Sequence, residues 1–175
     1  MIPGTEGYAR EAGQLVARYE SIPQEEKHRS VVHLIAGKPR SVLDIGAGSG
    51  ADAAWYASLG HCVVALEPVD ALREAGMALH PSPAIEWLND SLPGLELAAS
   101  LLRESGVLIM ALRHGPVPPG RRMFEASAQE TIELAQAHGL EPLLSVRSQS
   151  IGALNWQVGV EWSRLAFRST DTSGH

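Results

Sequence analysis

One cysteine, Cys62, is all this chain carries, so no internal disulfide can form, and its place in an apolar stretch predicts a buried core thiol rather than a nucleophile. No apolar run approaches the ~20 residues of a membrane span, so a membrane protein is not expected. Met1-Ile2-Pro3-Gly4-Thr5-Glu6 offers no basic stretch followed by an apolar one. A secretory leader is therefore not expected, and the cytoplasm is the default location. Positive charge is scarce as well. The 14 Lys and Arg against 20 Asp and Glu leave a net charge of -6, whereas nucleic-acid binding draws most of its affinity from clustered cations. The one basic concentration, Arg113, Arg121 and Arg122 with His114, is too local for a duplex footprint. What remains is 175 residues, 45% apolar and 19% charged, the makeup of one globular domain with a core of its own.

Within that domain the run Val42-Leu43-Asp44-Ile45-Gly46-Ala47-Gly48-Ser49-Gly50 carries the most information. Ser41 to Ile45 predicts a short buried strand, the glycines a sharp turn, and Ala51 to Leu59 a helix. Cys62 to Leu66 is the second strand, and Glu67 falls at its carboxyl end, about 20 residues past the first glycine, where a carboxylate can accept both ribose hydroxyls. Two cofactor classes use that geometry. Dinucleotides are one, and Gly46-x-Gly48-x-x-Ala51 satisfies the loose form of their fingerprint. Asp44 argues against them, since a carboxylate at the tip of the first strand would face the phosphates pressed onto the loop. S-adenosyl-L-methionine carries a sulfonium and an ammonium at that end, and there an acidic group is favourable.

With these residues the chain resembles the class I S-adenosylmethionine-dependent methyltransferases, from about Tyr8 to Arg168. The family motif Asp-x-Gly-x-Gly-x-Gly is matched by Asp44, Gly46, Gly48 and Gly50, and its acidic ribose ligand by Glu67. Ala84 to Leu88 supplies the third strand, and Asn89-Asp90-Ser91-Leu92-Pro93 resembles the segment that holds the adenine. The resemblance implies an α/β, three-layer Rossmann-like sheet, mostly parallel with an antiparallel C-terminal hairpin and preceded by two helices. It also implies an enzyme that binds S-adenosyl-L-methionine through Tyr19, Asp44, Gly46, Ala47, Gly48, Gly50, Glu67, Pro68, Asn89, Asp90, Ser91 and Leu92. Residues 1–40 would cover the site, 41–168 form the core, and 169–175 a tail. A small-molecule acceptor would meet the loop after the fifth strand. There His114 suits a general base, and Arg113 or Arg121 suits an anchor for a carboxylate or phosphate. No metal is expected, and the oligomeric state is open, a homodimer included. The rival readings are a cofactor-binding module acting through a partner and an NAD-linked oxidoreductase.

Helical spacing predicts helices over Gly7 to Tyr19, Gln24 to Ala36, Val69 to Leu79 and Leu95 to Arg103. Ser127-x-x-Glu130 is a capping box that opens another, through Ala137. Val107 to Leu112 is a continuous apolar run and predicts a buried parallel strand. Pro142 to Arg147 and Val160 to Phe167 predict the last two strands, and the four tryptophans, Trp55, Trp87, Trp156 and Trp162, predict core or rim packing. One departure from the family stands out. Only Ser91 to Gly106, 16 residues, lie between the adenine segment and the strand at Val107, room for one helix but not for the strand and helix the family adds there. The missing element is the fourth strand. A deletion that leaves the first and fifth strands adjacent, a second chain filling the gap, or residues left out of the sequence as written would each account for it. The third is preferred, since a sheet without a central strand loses tens of contacts. An intact mass of 18.7 kDa, compared with the encoding gene, would remove it.

Overall fold

The computed structural model describes residues 5, 7–35, 37–91, 94–117, 123, 125–149 and 160–170. These residues form two compact units. The first holds α1 (Ala12–Glu20), most of α2 (Gln24–His28), β1 (Ser41–Ile45), α3 (Ala51–Ser58), β2 (Cys62–Leu66), α4 (Asp70–Leu79) and β3 (Ile85–Leu88). The second holds α5 (Leu95–Ser100), β4 (Val107–His114), α6 (Ala128–Ala137), β5 (Leu140–Gln149) and β6 (Glu161–Ser169).

In the first unit β1, β2 and β3 form a parallel sheet in that order, with Asp44 opposite Ala65 and Ala65 opposite Trp87. The crossovers are α3 and α4, as parallel neighbours require. One face of the sheet is packed by α3, through Ala53 against Val63, Ala65 and Ile85. The helix α1 packs on α4 through Ala12, Leu15, Val69 and Leu72. Side chains alternate along a strand, so β1 is half buried. Val42 lies on the packed face, while Leu43 and Ile45 on the other are 38% and 41% exposed. The apolar sequence of β1 predicts burial on both faces. Among the described residues β1 pairs with β2 alone, and the one helix that packs on it covers one face. Cys62 corrects the expectation of a core thiol: it is exposed, because it opens β2 on the face opposite Val63.

The second unit is an antiparallel sheet ordered β4-β6-β5, with α6 on it. Leu165 and Phe167 of β6 join Ala135 of α6 and Leu140 in a fully buried cluster. The antiparallel C-terminal pair is as expected. The run Val107 to Leu112, expected to be a buried parallel strand, lies in β4, which pairs antiparallel with β6 and is half-buried rather than buried, with Ala111 exposed. A continuous apolar run signals burial and leaves strand direction open. Pro142, which cannot donate to a ladder, sits at the irregularity in β5 between Pro142 and Leu144. From 89 to 106 the described residues carry one helix, α5, and no strand, which agrees with the 16-residue spacing.

Helix ends differ modestly from the spacing. Gln24 to Ala36 was expected as one helix, but α2 stops at His28 and a 3-10 turn follows at Val32–Leu34. The amides of Val31 and Leu34 bond the carbonyls three residues back, a tightening suited to the β-branched pair Val31-Val32. Ala36 lies outside the described residues. The capping box at α6 is half formed: the Ser127 Oγ accepts the Glu130 amide at 3.1 Å. Ser127→Ala is expected to cost about 1 kcal/mol, read by urea denaturation.

Candidate cofactor site

The loop from Gly46 to Gly50 joins β1 to α3, and its glycines serve different ends. Gly46 has φ +73° with no atom within 4 Å of where a Cβ would stand, so its side toward solvent is open to a ligand. A Cβ on Gly48 would meet the Tyr19 ring at 3.1 Å. At Gly50 it would meet Trp87 Cη2 at 2.6 Å, and at Gly76 of α4 the same carbon at 2.3 Å. Gly50 and Gly76 therefore admit the Trp87 ring between loop and helix. The motif assigns Gly50 to the cofactor; packing supplies a separate reason for it.

The loop amides are already engaged. Those of Gly46 and Ala47 both donate to the Leu66 carbonyl at 2.9 Å, and that of Gly48 to Glu67 Oε2 at 2.8 Å. Glu67 also accepts the Val69 amide through Oε1 at 2.8 Å, and its residue is 5% exposed. The carboxylate thus ties the loop to the end of β2, and Arg73 holds the Glu67 carbonyl at 2.9 Å. Each carboxylate oxygen retains acceptor capacity for a hydroxyl.

Asp44, near the end of β1, has its Oδ2 out of solvent contact and without a hydrogen-bond partner. Burial above all, then the charge of Asp52 and, after the opposing pull of Lys27, that of Glu67, move its pKa up to about 7; the Ala53 amide, which bonds it, acts the other way. Asp52, in the first turn of α3, pairs with Lys27 Nζ at 2.5 Å. Tyr19, Lys27, Gly46, Ala47, Gly48, Ser49, Ala51 and Asp52 line a cavity of about 90 Å³. Beside it Ser49 Oγ donates to Glu20 Oε1 at 2.5 Å, and His80 Nε2 lies 3.1 Å from the same oxygen. The C-terminal end of α1 is fastened over the loop by this bond and by Tyr19.

Of the residues read from the sequence, the cavity brings together Tyr19, Gly46, Ala47 and Gly48. Asp44, Gly50 and Glu67 are not among the residues that line it. At the end of β3, Asn89 Nδ2 lies 3.4 Å from Asp70 Oδ1, and Asp90 Oδ1 accepts the Ser91 amide at 2.7 Å. Pro68 is half buried beside Glu67. Leu92, Arg121, Arg122 and Trp156 lie outside the described residues. In the second unit, Arg113 donates to the carbonyls of Gly115 and Pro116 at 3.3 and 2.7 Å, and His114 Nε2 is 2.8 Å from Ser163 Oγ. Lys27, Glu20 and Ser49 carry no motif in the sequence that marks them as site residues. Lys27 belongs to the polar run Gln24-Glu25-Glu26-Lys27-His28, which reads as a solvated face, and no spacing rule links it to Asp52.

No protein-family model matches the chain, and no curated protein does. Solved structures do. A 1,6-didemethyltoxoflavin-N1-methyltransferase from Burkholderia thailandensis, crystallised with S-adenosylhomocysteine, superposes with a TM-score of 0.66 at 21% identity, covering 87% of this chain and 81% of that one. An N-methyltransferase from Bradyrhizobium japonicum, also with S-adenosylhomocysteine, gives 0.66 at 14% identity over 93% and 98%. The magnesium protoporphyrin IX methyltransferase of Synechocystis, with S-adenosylmethionine, gives 0.61 at 12% over 94% and 80%. The chain has the class I S-adenosylmethionine-dependent methyltransferase fold. The methyltransferase fold is thus shared at identities of 21% and below, which is why the likeness rests on backbone geometry. Its parallel half, β1 to β3, presents the glycine loop and Glu67 at the carboxyl ends of the strands, where open α/β sheets bind ligands.

Proposed function

We propose that this chain is an S-adenosylmethionine-dependent methyltransferase of a small-molecule acceptor. The observation that carries the reading is the charge and hydrogen bonding around the glycine loop. Asp44 keeps a buried carboxylate oxygen without a hydrogen-bond partner, Asp52 and Glu67 add acidity, and the amides of Gly46, Ala47 and Gly48 are already bonded. A dinucleotide needs free amides and low negative charge at such a turn. A ligand bearing an ammonium and a sulfonium needs the reverse. The fold neighbours crystallised with S-adenosylhomocysteine or S-adenosylmethionine add support from a separate direction.

The residues present fit that cofactor: Asp44 and Asp52 for its cationic end, Glu67 for ribose hydroxyls, and Asn89, Asp90 and Ser91 for the base. When bound, it supplies an electrophilic methyl group to a nucleophilic acceptor. The protein's part is to orient the acceptor and take up a proton where the acceptor loses one. His114 and Arg113 are proposed for the acceptor side. Among the described residues no helix is long and apolar enough to cross a membrane, and the cytoplasm is the proposed location.

Titration calorimetry at pH 8 is expected to give a micromolar Kd for S-adenosylmethionine and for S-adenosylhomocysteine. The double variant Asp44→Asn, Glu67→Gln should abolish both heats. Wild-type protein that gives no heat with either ligand would refute the reading.

A further inference from the structure

In the second unit His114 closes β4 at the carboxyl end of the strand, and its Nε2 lies 2.8 Å from the Oγ of Ser163 in β6. Leu112, opposite Ser163 in the ladder, packs into the apolar cluster that α6 completes, so Ser163 stands at the polar margin of that cluster. The two ends of the contact differ in their surroundings. Ser163 is 5% exposed, in the same strand as the fully buried Leu165, Ala166 and Phe167. His114 is half-buried, and its other ring nitrogen, Nδ1, is not buried and has no hydrogen-bond partner among the described residues.

A serine hydroxyl carries one proton, and a buried one left without an acceptor is costly. Among the described residues Ser163 Oγ has no partner but Nε2 of His114. If Nε2 carried the ring proton, it would donate to Oγ and leave the hydroxyl proton with nothing to bond. If Nε2 accepts, the hydroxyl is satisfied and the ring proton sits on Nδ1, where water or a ligand can take it. The unsatisfied hydroxyl favours the second arrangement by about tenfold. The bond made by one imidazole nitrogen thus decides which nitrogen is protonated. Glu161, opposite His114 in the ladder, does not compete for the ring, because its Oε2 accepts Arg147 Nε at 2.5 Å and its Oε1 accepts Gln149 Nε2 at 2.9 Å.

We infer that Ser163 is a positioning residue: its buried hydroxyl occupies Nε2 of His114 and holds the ring as the Nδ1–H tautomer, which presents a hydrogen-bond donor rather than a base to the methyl acceptor. The acceptor role rests on the methyltransferase reading above; the tautomer does not. A neutral ring in this state has no lone pair at Nδ1, and its lone pair at Nε2 is taken. The residue type suggests a general base at His114, and the neighbour that removes that role lies 49 positions away in sequence. An acceptor held here offers a lone pair of its own to Nδ1–H, and any proton it loses on methylation passes to another group or to water.

The test is long-range proton–nitrogen NMR of the full chain, uniformly labelled with nitrogen-15, at pH 8, which reads the protonated nitrogen of each imidazole. His114→Gln identifies the His114 signals by removing them. In the wild type the Nδ1–H form should exceed the Nε2–H form by about tenfold. Ser163→Thr, which keeps the hydroxyl, should preserve that excess. Ser163→Ala should lose it, and so should Ser163→Cys, whose thiol is a weak donor of similar size and serves where the alanine variant does not fold. A wild-type ring protonated at Nε2 would overturn the inference. So would an Nδ1–H excess that survives undiminished in Ser163→Ala or Ser163→Cys. Either result leaves the cofactor reading intact, since calorimetry with S-adenosylhomocysteine tests that separately. Wild-type protein that gives no heat with S-adenosylhomocysteine or S-adenosylmethionine would overturn the methyltransferase reading, and the acceptor role of His114 with it.

Discussion

Asp44→Asn is expected to raise stability relative to the wild type by up to about 4 kcal/mol between pH 4 and pH 8, while weakening S-adenosylmethionine binding at pH 8 by a hundredfold or more. The stability half follows from linkage. Asp44 titrates near 3.8 in an unfolded chain and near 7 when folded, chiefly through burial and then through the charge of Asp52. A group whose folded pKa is raised holds its proton more tightly when folded. Its contribution is therefore greatest below pH 3.8 and is lost as pH rises to about 7. Some three pKa units at ~1.4 kcal/mol each give the figure of about 4 kcal/mol. Asparagine stays neutral, so the difference between variant and wild type should grow across that window and level off above pH 7. Urea titrations at pH 4, 5.5, 7 and 8 would show it. Parallel pH profiles would sink the idea.

The binding half has the opposite dependence. A cation beside Asp44 needs the carboxylate ionised, so below pH 7 each bound ligand must displace a proton. Affinity should then fall toward tenfold per pH unit, with proton release visible as a buffer-dependent heat in calorimetry. In the wild type, acid pH should favour the protein without ligand, and alkaline pH the complex. This is the cost often stored at functional sites: an acidic residue that destabilises the empty fold at the pH where it binds best. Asp44→Asn should remove both slopes together. An affinity that stays flat from pH 6 to 8 in the wild type would mean that no cation approaches Asp44.

What the sequence disclosed divides by range. The strand, turn, helix and strand from Ser41 to Leu66 is local, written in hydrophobic runs and glycines, and it stands where expected. So do the α6 cap at Ser127 and the antiparallel ends of the chain. Direction and coverage were not legible. Val107 to Leu112 reads as buried, but nothing in it says that its neighbour runs antiparallel, and Leu43 and Ile45 read as core although β1 is packed on one face. The site shows the same division. Asp44 and the glycines announce themselves by spacing. Lys27 contacts a residue 25 positions away, and Glu20 contacts Ser49 at a separation of 29, relations set by how α1 and α2 lie against the loop. The role of Trp87 was hidden for the same reason: it appears only when β3 is laid beside β2 and the ring falls between Gly50 and Gly76.

That ring leads to the second large effect, Gly76→Ala. In most helices this change is favourable by up to about 1 kcal/mol, because alanine is the better helix former. Here the new methyl would stand 2.3 Å from Trp87 Cη2 and 2.8 Å from the Ser49 carbonyl oxygen, distances that no side-chain rotation of alanine can relieve. Overpacking of this kind costs about 1–3 kcal/mol, and a backbone atom among the obstacles places this site at the upper end. A loss of about 3 kcal/mol should lower Tm by roughly 6–12 °C in a chain of this length. Gly50→Ala should cost more, since φ +81° adds backbone strain of about 1–2 kcal/mol to the contact of 2.6 Å with the same ring. Trp87→Leu separates the two causes. By removing the six-membered ring it should recover about 2 kcal/mol of the Gly76→Ala loss as a coupling energy in a double-mutant cycle. The Gly50→Ala loss should be recovered only in part, because the strain at Gly50 remains when the ring has gone. Additive losses in both cycles would mean that Trp87 moves aside freely. In that case neither glycine would be fixed by the ring, and Gly50 would owe its place to the turn and the ligand alone.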